Sequence, residues 1–263
     1  MKKKETIKFS VCISVYKKDN AEYFRQALES IIDQSTKPSE IILVVDGPVS
    51  DNINKIINKF ENSLKNFKTI RLSQNKGHAI ARQTGIKEAS HEIVALMDSD
   101  DISLPDRFRK ELKCFNEDSK LSVVGGYIQE FTKSVKNITG LRTVPVSDKE
   151  IKNYMKKRCP MNQVTVMFRK KDVFGVGGYL DWYCNEDYYL WIRMYEAGCK
   201  FKNLDEILVN VRVDQDSYRR RGGWKYFKSE AKQMGGNGKK AVLEKYNWEN
   251  ESKKLLKVYE KIK

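Results

Sequence analysis

Asp98, Asp100 and Asp101, grouped around Ser99, follow directly on the apolar run Ile93-Val94-Ala95-Leu96-Met97. A short unbroken apolar run reads as a buried strand, so three carboxylates stand at a strand's carboxyl end, the edge where open α/β sheets take ligands. Carboxylates crowded into four residues repel one another, and a divalent cation relieves that repulsion. Mg²⁺ or Mn²⁺ takes one or two carboxylates and fills its other positions with phosphate oxygens and water. Asp98 and Asp100 are therefore the expected ligands, with a diphosphate completing the shell. The competing reading makes the cluster a helix cap ahead of Pro105, with Asp101 in that part.

The same edge offers groups for a nucleotide. Tyr16-Lys17-Lys18-Asp19 contains no glycine, so neither a G-x-G-x-x-G turn nor a P-loop is present and backbone amides do not cradle phosphates here. Asp46, at the end of another apolar strand and ahead of Gly47-Pro48, is an acceptor suited to a base with a ring N–H such as uracil or guanine; equally, it can simply open a turn. Arg82, on the helix after Asn75-Lys76-Gly77-His78, can reach the diphosphate or can be a solvated helix charge. His78 and His91, the only histidines, are given no catalytic part, because isolated histidines are usually structural.

A second acidic pair, Glu186-Asp187, stands at the start of a helix expected over Tyr188 to Glu196. Adjacent helical residues point about 100° apart, so the two cannot face each other as an acid and base pair across one bond. They can also serve only to complement the helix dipole. Trp182, Tyr183, Tyr188 and Trp191 around them offer flat faces for a sugar ring or fill a core; Trp182 and Trp191 are the acceptor candidates.

These residues need elements to hold them. Ile7, Phe9, Val11, Ile13 and Val15 alternate with polar or small residues as a strand, followed by a helix capped by Asp19 or Asn20 with Phe24, Leu28, Ile31 and Ile32 at helical spacing. Ile41 to Val45 is a strand, Ile53 to Leu64 a helix, Ile70 to Leu72 a short strand, and Ile80 to Ala89 a helix returning to the strand before Asp98. This β-α-β-α-β-α-β order predicts an α/β fold, a Rossmann-like, mostly parallel sheet flanked by helices, whose post-strand loops open on one edge. Tyr16, Asp46 and Asp98 converge there. Past Pro105 the alternation lapses into a mixed half, with strands near Leu121 to Ile128 and at Val164 to Phe168.

In order and spacing these motifs resemble the glycosyltransferase family 2 enzymes of the glycosyltransferase A fold over about residues 7 to 215. Ser14-Val15-Tyr16 with Asp46-Gly47 resembles the family's nucleotide-binding strand ends, Asn75 to Gly85 its N-x-G-x-x-x-A-R helix, Asp98-Ser99-Asp100 its D-x-D motif, and Asn185-Glu186-Asp187 its E-D motif. The resemblance implies a nucleotide site of Ser14, Tyr16, Asp46, Arg82, Asp98 and Ser99, with uracil on Asp46, a metal on Asp98 and Asp100, Asp187 as catalytic base and Glu186 toward the acceptor. Many members carry Asn-His where this chain has Asn162-Gln163. Further implied are single displacement with inversion, a UDP-sugar donor (UDP-Gal or UDP-Glc), Mn²⁺ or Mg²⁺, and a saccharide acceptor on a lipid diphosphate such as N-acetylhexosamine-diphosphate-undecaprenol. The setting is bacterial O-antigen, capsule or exopolysaccharide synthesis.

Composition bounds the rest. The 263 residues are 40% hydrophobic, and apolar runs of about five fall far short of the roughly 18 to 20 that span a bilayer. Five cysteines, Cys12, Cys114, Cys159, Cys184 and Cys199, without a C-x-x-C pair, predict buried thiols in a reducing cytoplasm rather than disulfides or zinc. The +15 formal charge concentrates at the end: residues 218–263 hold 14 basic and 5 acidic residues, a net of +9. Arg219, Arg220 and Arg221 with Trp224, Tyr226 and Phe227 suit a lipid diphosphate or an anionic membrane surface, and resemble the R-R-G-G ending of transferases that build on undecaprenyl diphosphate. The expected division is a catalytic domain over 1–217, nucleotide-binding in 1–104 and acceptor-binding in 105–217, then a basic helical extension over 218–263, the whole peripheral at the inner face of the cytoplasmic membrane. A sugar-phosphate nucleotidyltransferase would share the metal site but needs a glycine-rich loop after the first strand, which is missing. A nucleic-acid-binding protein would explain the charge and leave Asp98, Asp100 and Asp187 without purpose.

Overall fold

A computed structural model of the protein describes residues 7–180 and 185–213. Trp182, Tyr183, Cys184, Arg219, Arg220, Arg221 and the basic extension lie outside the described residues.

The first half alternates as its apolar pattern demands. Strand β1 (Phe9–Tyr16) leads to α1 (Ala21–Ile32), β2 (Glu40–Asp46), α2 (Asp51–Ser63), β3 (Phe67–Leu72), α3 (His78–Glu88) and β4 (Ile93–Met97). Asn20, not Asp19, caps α1, its side-chain oxygen accepting from the amides of Glu22 and Tyr23. β3 begins three residues earlier than its apolar pattern suggested, because Lys68 to Leu72 are held by register with Ile42 to Asp46 and not by burial.

The second half continues with β5 (Ile102–Ser103), α4 (Arg107–Glu117), β6 (Leu121–Phe131), β7 (Ile138–Arg142), α5 (Asp148–Tyr154), a 3-10 turn (Gln163–Thr165), β8 (Met167–Arg169), α6 (Lys170–Gly175), α7 (Glu186–Glu196) and β9 (Lys200–Arg212). The strand expected over Val164 to Phe168 is thus split: Val164 and Thr165 lie in the 3-10 turn, and only Met167 and Phe168 join β8. Thr165 explains it: its hydroxyl and its amide both donate to Asn162 O, curling the chain before it joins the sheet.

Among the described residues one sheet of nine strands runs in the order β3-β2-β1-β4-β8-β6-β9-β5, with β7 off this path and paired to the far end of β6. β1 pairs in parallel with both β2 and β4, so the chain reverses direction of travel across β1. That switch point opens a crevice outside the carboxyl ends of β1 and β4. Side-chain parity sorts two cores. Phe9, Val11, Ile13, Val15, Ile41, Leu43 and Met97 pack toward α1, α2 and α4, whereas Cys12, Ile42, Val44, Val94 and Leu96 pack toward α3 and α7. α3 comes so close that a Cβ on Gly85 would sit 3.2 Å from Val44 Cγ2. No helix among the described residues is long and apolar enough to cross a membrane.

Candidate active site

Asp98 continues the parity of Val94 and Leu96 and so faces the α3 and α7 side of the sheet. There Arg82 of α3 meets it: Nη2 donates to Asp98 Oδ1 at 2.9 Å while Nη1 donates to Glu186 Oε1 at 2.8 Å. The arginine side chain is only 11% exposed, which settles the choice against a solvated charge. Burial pulls its pKa down, but the two carboxylates outweigh it and hold Arg82 above its ordinary value. One guanidinium therefore ties the strand-end cluster to the start of α7, across 104 residues of sequence.

A cleft of ≈ 230 Å³ lies beside this bridge, lined by Ser14, Tyr16, Asp19, His78, Asp98, Ser99, Asp100, Asp101, Val211 and Arg212. Ser14, Tyr16, Asp98, Ser99 and Asp100 are thus gathered as expected. Asp46 is not in the lining. Its carboxylate is buried and accepts from Asn75 Nδ2 (2.9 Å), Lys76 N (2.7 Å) and Gly77 N (2.9 Å), so it pins the loop that enters α3. Gly47 makes this contact possible: at φ 83°, a Cβ there would lie 2.6 Å from Asn75 N. Asp46 therefore does more than open a turn with Gly47-Pro48.

Asp101 is corrected outright. It caps no helix, since α4 starts only at Arg107; buried, it accepts from the amide of Arg212 at 2.8 Å. Trp191 is corrected too. It is fully buried in the core under α3 and α7, because α7 turns Tyr188, Trp191 and Ile192 inward, and it presents no face to an acceptor. Of the cysteines, Cys12 and Cys114 are buried, while Cys159 and Cys199 are partly exposed. Asn162 is buried and donates to Gly126 O (2.8 Å), and Gln163 donates to the Tyr179 hydroxyl (2.6 Å).

Asp19, His78 and Arg212 line the cleft although none of them was assigned to the site from sequence. Asp19 Oδ2 accepts from Ser99 Oγ (2.8 Å) and Tyr16 N (3.1 Å), and burial raises its pKa against those bonds. His78 opens α3 with its ring edge-on to Tyr16, centroids 6.3 Å apart. Arg212 lays its guanidinium between the rings of Tyr23 (3.8 Å) and Phe131 (4.6 Å) and donates from Nε to Asp100 O at 3.0 Å. A polar residue beside a strand-end acid was the available signal for Asp19; Arg212 had none, being brought in by β9 from 112 residues away.

Electrostatically the cleft is short of positive charge. Burial first, then the Asp98 and Asp19 carboxylates, push Asp100 up to about 6, as withdrawal from water and neighbouring negative charge both disfavour the ionised form. The donors are all hard oxygens, a set that fits Mg²⁺ or Mn²⁺. Among the described residues no three His, Cys, Asp or Glu side chains close into a cage; Asp98 and Asp100 are the carboxylates that could hold such a cation together with a substrate's oxygens. On the far side of Arg82, burial and then the Glu186 carboxylate push Asp187 up to about 6, so at neutral pH it is ionised yet more basic than an ordinary aspartate.

The family model described as Glycosyl transferase family 2 matches residues 10–177. The chain belongs to glycosyltransferase family 2. Within this family it is 34% identical over 228 residues, 87% of this chain and 82% of the relative, to the UDP-Gal:alpha-D-GlcNAc-diphosphoundecaprenol beta-1,3-galactosyltransferase of Escherichia coli. To the amylovoran biosynthesis glycosyltransferase AmsE of Erwinia amylovora it is 36% identical, covering 84% of this chain and 82% of that one. S. aureus TarS 1-349, solved in complex with UDP-GlcNAc, shares the fold with a TM-score of 0.64 at 20% identity, over 85% of this glycosyltransferase and 64% of that chain. The glycosyltransferase A architecture expected of family 2 is thus the one observed.

Proposed function

We propose that this glycosyltransferase moves a hexose from a UDP-sugar, UDP-Gal or UDP-Glc, to a hydroxyl of a saccharide carried on a lipid diphosphate, in bacterial surface-polysaccharide synthesis. The observation that carries the reading is the Arg82 bridge, one guanidinium joining Asp98 and Glu186, with Asp98 taken as the donor side and Glu186 and its neighbour Asp187 as the acceptor side. The printed activity of the Escherichia coli relative supports the donor and acceptor class, and the UDP-GlcNAc complex of TarS supports a uridine diphosphate at this edge.

In this reading Asp187 takes the proton of the incoming hydroxyl. The freed oxygen forms its bond to the anomeric carbon from the face opposite the leaving group, and the electron pair of the breaking C–O bond departs with UDP, inverting the centre. Asp98 and Asp100 hold Mn²⁺ or Mg²⁺, which when bound offsets the charge growing on the departing diphosphate. Tyr16, Ser14 and Ser99 bound the nucleotide cleft, Asp46 meets uracil or keeps the loop before α3 in place for it, and Glu186 orients the acceptor. A good leaving group needs little more than a positioned base and aligned reactants.

UDP release measured across UDP-sugars, with and without Mn²⁺ and an N-acetylhexosamine-diphosphate-undecaprenol acceptor, tests this. Acceptor-dependent release is expected from one UDP-hexose and is lost in Asp187→Asn with UDP affinity kept. Near-normal turnover of that variant would remove Asp187 from the mechanism.

A further inference from the structure

Among the described residues β7 pairs with β6 alone, leaving one rim of the strand open. The turn before it and the strand itself carry Val135, Ile138 and Leu141 at 41%, 43% and 60% exposure, three of the seven exposed large hydrophobics of the described residues within seven positions. Register makes two of them neighbours. Phe131 pairs with Ile138, Glu130 with Gly140 and Gln129 with Leu141, so Thr139 is an extra, bulged residue. Three positions apart in a regular strand, Ile138 and Leu141 would point to opposite faces. The bulge returns both to the face shared by Phe131 and Gln129.

Charge follows the same segment. No acidic residue occurs from Phe131 to Ser147, whereas Lys133, Lys136 and Arg142 do, and Lys133 and Lys136 are exposed. Natural edge strands are usually blunted by charge or proline on the rim; an apolar stripe flanked by lysines is instead the composition that settles at an anionic interface, with aliphatic groups in the acyl boundary and ammonium groups among the headgroups. At its inner end the strand carries Arg142, whose charge bears on Asp187.

We propose that the β6–β7 hairpin is a bilayer contact: Val135, Ile138 and Leu141 enter an anionic leaflet and Lys133 and Lys136 meet its phosphates. Resting on the function proposed above, the contact presents Asp187 to an acceptor anchored in the same leaflet.

The test uses the full chain and vesicles of phosphatidylglycerol and phosphatidylethanolamine, comparing wild type with the triple variant Val135→Ser, Ile138→Ser, Leu141→Ser. Exposed sites should leave the fold intact, checked by unchanged UDP affinity in calorimetry. The vesicle partition coefficient is expected to fall about tenfold, and transfer to a vesicle-borne acceptor to fall with it, while transfer to a water-soluble short-chain acceptor stays at the wild-type rate. Unchanged partition overturns the proposal. So does a shift from dimer to monomer in light scattering without loss of partition, which would make the edge an interface between two copies. If wild type transfers to neither acceptor yet partition still falls in the variant, the enzymatic reading fails and the membrane contact stands.

Discussion

Two arginines flank β4 from opposite faces, and they differ in what their partners are free to do. Arg82, on the α3 side, bridges Asp98 and Glu186, whose side chains keep 33% and 15% exposure. Arg107, on the α4 side, is fully buried with Glu111 at 3.3 Å and also donates to Leu96 O at 2.9 Å. Burial pushes the Glu111 carboxyl up and the Arg107 guanidinium offsets part of that, and Glu111 Oε1 has no partner among the described residues. The same residue type thus meets a cleft-lining carboxylate, Asp98, on one face of the strand and a wholly buried one, Glu111, on the other. A buried ion pair is weak evidence for stability; here its observable product is the fixed position of the carbonyl two residues before Asp98.

The contrast can be broken from either side. The largest effect is expected at Asp187→Asn, with transfer falling by about 10³-fold or more, while unfolding at pH 7 becomes harder by about 1–2 kcal/mol, because a carboxyl raised by burial is replaced by a neutral amide and some water still screens it. Denaturant titration beside a turnover assay reads both. Arg107→Ala strands a buried acid and should cost about 3–5 kcal/mol of stability, with UDP affinity of the folded fraction near wild type. Arg82→Ala should reverse that pattern: kcat/KM down about 100-fold from lost alignment, with a smaller stability loss because its partners reach water. The pH profile is milder. In its proposed role Asp187 works ionised, so transfer is expected to be half-maximal near pH 6 and to fall about tenfold from pH 7 to pH 5. In the folded state this group binds its proton more tightly than in the unfolded chain, so its share of stability moves the other way, rising as pH falls through about 6 toward the ordinary aspartate value. Smallest is the double variant Arg107→Met, Glu111→Leu, expected within about 1.5 kcal/mol of wild type. A loss as large as that of Arg107→Ala alone would mean that the hydrogen bond to Leu96 O, and not the ion pair, is what matters.

What could be read before folding follows from local physics. Ile41 to Val45 and Ile93 to Met97 announce buried parallel strands because burial on both faces leaves no room for alternation, and a strand followed by acids announces a ligand edge. Asn20 against Asp19 as the cap of α1 was a toss-up, since both side chains suit the position; Ser99, in contact with Asp19, decides it. Trp191 misled because an aromatic near an acidic pair looks the same whether its helix face turns to the cleft or to the core. Val164 to Phe168 misled because a short apolar run carries no sign of the hydrogen bonds that Thr165 makes to Asn162.

By itself, then, the chain's order of residues determined the α/β alternation, the strand-end acids, the E-D pair and the family, since each rests on neighbours a few positions apart. Only the tertiary structure decided that Arg82 joins Asp98 to Glu186, that Arg212 clamps the acidic loop and that Asp46 holds the entry to α3. Those contacts span 16 to 112 residues, and side chains so far apart meet only because sheet register and helix packing bring them there.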